Sequence, residues 1–346
     1  MRGRGGKDLS RPCNGRSVVM IVVRVLFLTV LFVLAAVPAP SVGAPECTQV
    51  LAADICEGRH VASDVSSRGT HTCVLTDEMN VECYGSQVFG ESAPYNGGDA
   101  VQVRTSMDFY TCVLKADGNV DCYGRNAKGG ASDYLGGDAV EVAPGHEHTC
   151  ILTVDRNVTC YGDDEVGQSA DYTSGDAVGV AAGRYHTCVL TSDGNAHCYG
   201  DNRTGQAEDY LGGDGVAVGA GGWHNCVLQI SRNVDCYGDA FSFFTVLDYT
   251  GADAVAMSVG LFDNCILRIN GDVHCWGASV PGSITDYVGR DAVAITVGRS
   301  HMCMLTTTGT VECENWGSNH GEAEDWPKPC PGVSMDAPTG EHYCVS

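Results

Sequence analysis

Beyond its first 40 residues the chain has no long apolar period of helical spacing, and only 11 of its 346 residues are proline. A helical bundle is thereby excluded, and short apolar runs between polar turns point to strands. Cations are scarce: 20 lysines and arginines stand against 43 aspartates and glutamates, a formal net charge of −23. Such a surface repels phosphate backbones, so nucleic acid is not expected as a partner. No serine, cysteine or carboxylate stands in a recognisable nucleophile-and-base context, and the chain is read as a non-enzyme. Structural zinc sites use spacings of about two to four residues between ligands. The repeating cysteine pairs here are ten residues apart.

What the chain does have is 45 glycines and 19 cysteines. The stretch His186 to Gly200, HTCVLTSDGNAHCYG, reads as two short strands around a three-residue loop with Gly194 at the left-handed position. With the loop centred on Asp193, Leu190 faces Ala196, Val189 faces His197, and Cys188 lies across from Cys198. Directly opposed strand residues have Cα separations of about 4.5–5.5 Å, which suits a disulfide.

The unit recurs. Cys73, Cys112, Cys150, Cys188, Cys226, Cys265 and Cys303 are spaced 38 or 39 residues apart, and each has a partner ten residues on: Cys83, Cys122, Cys160, Cys198, Cys236, Cys275 and Cys313. Paired cysteines in this number indicate an oxidising compartment. Before each hairpin a run of small and β-branched residues, such as Ala177 to Ala182, reads as a strand crowded near an axis; after it comes a glycine-rich connection. Three to four strands per repeat of about 38 residues predict an all-β protein, a β-propeller. Seven repeats are complete. Cys47 stands at a second-cysteine position and Cys344 at a first. The termini can therefore form one split blade closed by Cys47–Cys344, for eight blades, or add strands to a ring of seven. Cys56 pairs with Cys330 in the first scheme; Cys47–Cys56 with Cys330–Cys344 is the alternative.

Residues 1–43 read as a signal peptide or signal anchor, with basic Arg2, Arg4, Lys7, Arg11 and Arg16 ahead of the apolar run Val25 to Val37. Residues 44–346 then form one domain, and Cys13 stays unpaired in the leader. Loss of residues 1–44 removes six of the 20 basic and one of the 43 acidic residues, leaving a net charge of −28. Asn157 and Asn202 begin glycosylation sequons.

The run Gly183 to Gly200, followed by Gly205-Gln206, resembles the repeat of the regulator of chromosome condensation family, whose pattern runs roughly AGxxHSLALTxDGxVxxWGxNxxGQ. The likeness extends from Val61 to Trp326. It implies a β-propeller, typically of seven blades. Cysteine replaces the family's first strand leucine and the residue before its tryptophan, and tyrosine usually replaces the tryptophan, while Trp276 and Trp316 retain one nearby. In repeat length the chain is similar to secreted propeller-type β-lactamase inhibitor proteins. The nuclear exchange-factor role is not carried over, because a leader, paired cysteines and acidity oppose it.

Several columns of residues are candidates for chemistry. Two residues before the first cysteine stand His71, His148, His186, His224, His301 and His342, with Tyr110 and Asp263 as exceptions. They suggest a metal, but each belongs to a different blade, and the resemblance implies a histidine that pins a turn. Aspartates recur in the connections (Asp133 and Asp138, Asp171 and Asp176, Asp209 and Asp214, Asp248 and Asp253, Asp286 and Asp291), so calcium is a candidate cofactor and turn formation the plainer role. The tyrosines beside them are expected to pack between blades. Between the glycine and the histidine the repeats diverge, and Phe109, Arg184, Tyr185, Trp223, Phe262 and Arg299 form a candidate partner-binding group there. The plainer reading is that each ring caps its own blade. The apolar insertion Phe241 to Thr245 is a second candidate.

The sequence thus predicts a monomeric, secreted or surface-held protein-binding module of the adhesion or inhibitor type. Its partner is an extracellular protein, and it touches a membrane only through an uncleaved leader. A calcium- or glycan-binding surface protein is the alternative.

Overall fold

The computed structural model describes residues 61–238, 247–277, 286–316 and 324–326. The leader, the terminal cysteines Cys47, Cys56, Cys330 and Cys344, His342 and the insertion at 241–245 lie outside the described residues.

The fourth repeat shows how the sequence makes a blade. Its inner strand is Ala177–Ala182, its middle strand His186–Thr191 and its outer strand Ala196–Gly200. They pair antiparallel in that order, with Leu190 opposite Ala196, Val189 opposite His197 and Cys188 opposite Cys198. The predicted register is therefore the observed one. Gly194 turns the hairpin at φ 81°, and a Cβ there would lie 2.6 Å from the Gly213 carbonyl carbon. Asp193 supports the loop by accepting from the Asn195 amide at 3.1 Å. The opposed cysteines are bonded at a Cα separation of 4.1 Å.

Seven such three-stranded sheets follow one another. Each carries its own hairpin disulfide, in the seven pairs predicted. A fourth strand is reduced to a single bridge, in which Tyr210 exchanges both backbone hydrogen bonds with Ala196. Trp326 takes that place in the seventh blade. Every inner strand carries a bulge at its second residue, such as Val178, which the alternating pattern did not reveal. Bulges add twist and bend.

The core lies at the seams between blades. Middle strands are buried over their first five residues, and in four blades over all six, and Leu152 and Val158 of the third blade pack with Ala177, Val180 and Val189 of the fourth. A blade alone has two apolar faces and nothing to cover them, so it is stable only in the ring.

The ring closes at seven. Ala62 donates to the Gly309 carbonyl at 3.0 Å, the Ser67 amide donates to Thr296 Oγ1 at 2.7 Å, and Trp326 Nε1 reaches Glu82 at 2.8 Å. Direct pairing of the first blade with the seventh leaves no place for an eighth. The split-blade count is thus corrected to seven, which removes exposed edges just as well.

On the axis a single cation ties the inner strands together. The Arg68 guanidinium donates to the carbonyls of Ala182 at 2.9 Å, of Pro144 and Val259 at 3.4 Å each, and of Ala220. Burial pulls its pKa down to about 10, still far above neutrality, so it stays charged. Four blades thus bond to a side chain supplied by the first. Beside it Asp64 and Arg104 pair at 2.6 Å, and Glu141, also near Arg104, is pushed up to about 7 by burial.

Two outcomes follow from this architecture. Replacing one staple, Cys188→Ser with Cys198→Ser, should cost about 2–3 kcal/mol in denaturant unfolding while leaving the strand content by circular dichroism intact. An unchanged midpoint would show that the hairpin needs no staple. Arg68→Met should lower stability by about 2–3 kcal/mol, the worth of charge-assisted hydrogen bonds, and a melting temperature equal to the unsubstituted protein's would remove the axial tie.

Candidate functional site

The turn between inner and middle strands opens on one face of the ring. In five blades it begins with glycine, and in four of them the histidine ring three residues on lies against it; a Cβ at Gly183 would meet His186 Cε1 at 2.3 Å. The histidines point across the seams and do not converge. His71 Nε2 meets Thr111 Oγ1 at 2.8 Å, His148 meets Thr187 at 2.9 Å, His186 meets Asn225 Oδ1 at 2.6 Å and His224 meets Asn264 Oδ1 at 2.8 Å. His301 closes the ring onto Thr72 at 3.0 Å. Thr111 and Thr187 pass their own protons to the carbonyls of Glu91 and Gln168, so each must accept from an Nε2–H. At the exceptions, the Tyr110 hydroxyl donates to the His148 carbonyl at 2.7 Å, and Met302 packs against the Cys265–Cys275 sulfurs. This histidine column is therefore structural, as the resemblance implied.

Burial holds these imidazoles neutral, lowering His71, His186 and His301 to about 4, His148 to about 3, and His224 in the same direction. Their folded pKa values lie below the unfolded 6.5, so the stability they contribute is complete above pH 6.5 and is lost as pH falls toward 4. Glu141, raised above its unfolded value, acts in the opposite sense and is outnumbered. Unfolding below pH 6 should therefore take up protons. The melting temperature should hold above pH 7 and drop steeply below 6; a flat profile from pH 7 to 4.5 would contradict neutral burial.

Between glycine and histidine, the variable residues are laid side by side by backbone hydrogen bonds from turn to turn. The His146 amide donates to the Gly183 carbonyl at 3.2 Å, Arg184 to Gly221 at 3.1 Å, and Gly222 to Leu261 at 3.1 Å. An arc of stacked side chains results. The His146 and Tyr185 rings have centroids 5.6 Å apart, and the Arg184 guanidinium lies over Tyr185 at 5.2 Å and over Trp223 at 4.8 Å. Trp223 stacks on Phe262 at 5.6 Å and 20°. All five are half-buried.

The predicted group is thus joined in four of its six members: Arg184, Tyr185, Trp223 and Phe262. Phe109 stands apart from them, paired at 5.4 Å with half-exposed Phe89, over which Arg125 lies at 5.9 Å. Arg299 is exposed, and its backbone amide donates to the Gly69 carbonyl at 3.2 Å. Single-file reading missed Phe89, Arg125 and His146. Phe89 and Arg125 come after outer strands, where the chain folds back beneath the turns, so the column of turn residues did not contain them.

The aspartates of the connections have structural partners. One column accepts from the outer-strand cysteine amide, as Asp209 does from Cys198 at 2.8 Å and Asp171 from Cys160 at 2.8 Å. The other accepts from the tyrosine hydroxyl four residues earlier, as Asp176 does from Tyr172 at 2.9 Å and Asp138 from Tyr134 at 2.5 Å. The Tyr95–Asp99, Tyr210–Asp214, Tyr249–Asp253 and Tyr287–Asp291 pairs repeat this.

Fold and site together define a seven-bladed β-propeller built on a repeat. Residues 177–206, the fourth repeat, match the family described as the regulator of chromosome condensation (RCC1) repeat. No curated protein matches the sequence. In fold the chain is similar to the CRINKLY WD40 ectodomain of the Arabidopsis thaliana receptor kinase ACR4, at 22% identity and a TM-score of 0.63, over 76% of this chain and 98% of that one. It is similar also to the ectodomain of the Physcomitrella patens receptor kinase CR4, at 19% identity and 0.62, over 74% of each chain. Human WBSCR16 gives 15% identity and 0.58, over 71% of this chain and 87% of its own.

Proposed function

We infer that the chain is an exported protein-binding module whose partner docks on the arc from His146 to Phe262. The observation that carries this reading is Arg184. In a chain with twice as many acids as bases, its guanidinium lies between the Tyr185 and Trp223 rings, and among the described residues no carboxylate pairs with it. Arginine and aromatic side chains held rigid at a surface lose little entropy on docking and dominate binding energy at interfaces. Two propellers of similar fold are receptor-kinase ectodomains, and seven disulfides suit the same oxidising side of a membrane. Adhesion and enzyme inhibition are the two roles that such a docking face serves without chemistry of its own. A surface protein acting through calcium at the aspartate connections has less support, because those carboxylates already serve Cys amides and Tyr hydroxyls.

The test uses the oxidised domain beside a variant carrying Arg184→Ala, Tyr185→Ala, Trp223→Ala and Phe262→Ala. Extracellular proteins captured by the first should be held at least about tenfold more weakly by the second, at equal melting temperature, and without calcium. Equal capture would move the docking site off this face, and capture that requires calcium would favour the aspartate connections.

A further inference from the structure

The repeat is most disturbed at the seam between the second and third blades. The second blade has Met107 where five blades have glycine, and Tyr110 where most have histidine. Between them stands Asp108, only 8% exposed. Facing it from the third blade are His146 and Glu147. A carboxylate oxygen of Asp108, a ring nitrogen of His146 and a carboxylate oxygen of Glu147 all lie within 4.8 Å of one another. A metal about 2.1 Å from each of its ligands needs them roughly 3–4 Å apart, so small side-chain rotations would close the set.

Two further observations point to a cation here. His146 Nδ1 is buried and has no hydrogen-bond partner, an uncompensated polar atom on a ring that lies beside two carboxylates. Second, the two carboxylates already share a cation: Arg125 reaches Asp108 at 2.8 Å and Glu147 at 3.4 Å. That side chain is 37% exposed and also lies over the Phe89 ring, so it can swing off the carboxylates and keep a contact. A shallow surface depression, lined in part by Tyr110, Lys128 and Gly130, lies at the same place.

We propose that Asp108, His146 and Glu147 form a site for a divalent transition metal of the zinc type, with Arg125 as its built-in competitor. One imidazole nitrogen with two carboxylates favours zinc over calcium, which takes oxygen ligands. The site is separate from the aspartate connections and does not depend on the docking role of the arc.

The experiment titrates the metal-stripped, oxidised protein with Zn²⁺ alone, against a chromogenic chelator, with thermal melts on every variant. The unsubstituted protein should bind one equivalent. His146→Phe, which keeps a ring against Tyr185, and Asp108→Asn should each weaken it at least about tenfold, and Arg125→Gln should tighten it about tenfold by removing the competitor. Zinc affinity unchanged in His146→Phe would put the metal on the exposed His197–Asp209 or His274–Asp286 pairs and overturn the proposal. Failure of Arg125→Gln to tighten binding, or calcium bound as well as zinc, would overturn it too. Because Arg125→Gln is read as a gain, the result stands even if Asp108→Asn fails to fold.

Discussion

A neutral imidazole that donates a proton across a seam is the interaction on which the ring depends. The middle strands are buried from their first residue to their fifth, so the polar groups at their starts must find partners within the protein. His71 and His148 do this by handing a proton to the threonine of the next blade, which hands its own to a backbone carbonyl. Where asparagine replaces threonine, its amide group performs both tasks, accepting from His186 and donating to the Gln206 carbonyl. The relay works in one direction and needs the proton of the neutral ring on Nε2. It also explains the glycine three residues before His148, His186, His224 and His301, since the ring occupies the space a side chain would take.

Much of this was legible in the sequence because it is local. Strand pairing around a short loop has few registers, and cysteines ten apart admit one in which they face each other; hence the pairing of Cys188 with Cys198 was readable. The blade count was not, because closure depends on the angle at which one sheet packs on the next, and no spacing encodes that angle. Arg68 was illegible for a related reason. It stands in the chain as one irregular residue in a column of glycines, while its partners are 76 to 191 residues away. The bulges escaped notice because valine at the bulged position, as in Val178, leaves the apolar alternation undisturbed.

The site shows the same division. That the residues after the glycine diverge was visible, and four of the six chosen do touch. Which of them touch was settled by neighbours outside the column. Phe109 turned to Phe89, which follows an outer strand, and Arg184 settled between two rings where so acidic a chain suggests a carboxylate. Repetition supplies a scaffold that fixes each turn by hydrogen bonds to the next; departures from repetition then place unlike side chains at controlled distances. The arc and the Asp108–His146–Glu147 cluster are adjoining results of this arrangement, meeting at His146.

Every described disulfide closes within one blade. The covalent network therefore has the same period as the sequence. A unit of about 38 residues gained by tandem duplication, or lost by unequal recombination, would bring or remove a complete pair of cysteines and leave none stranded to form a wrong bond. Such a chain can change its length by whole blades and still oxidise correctly.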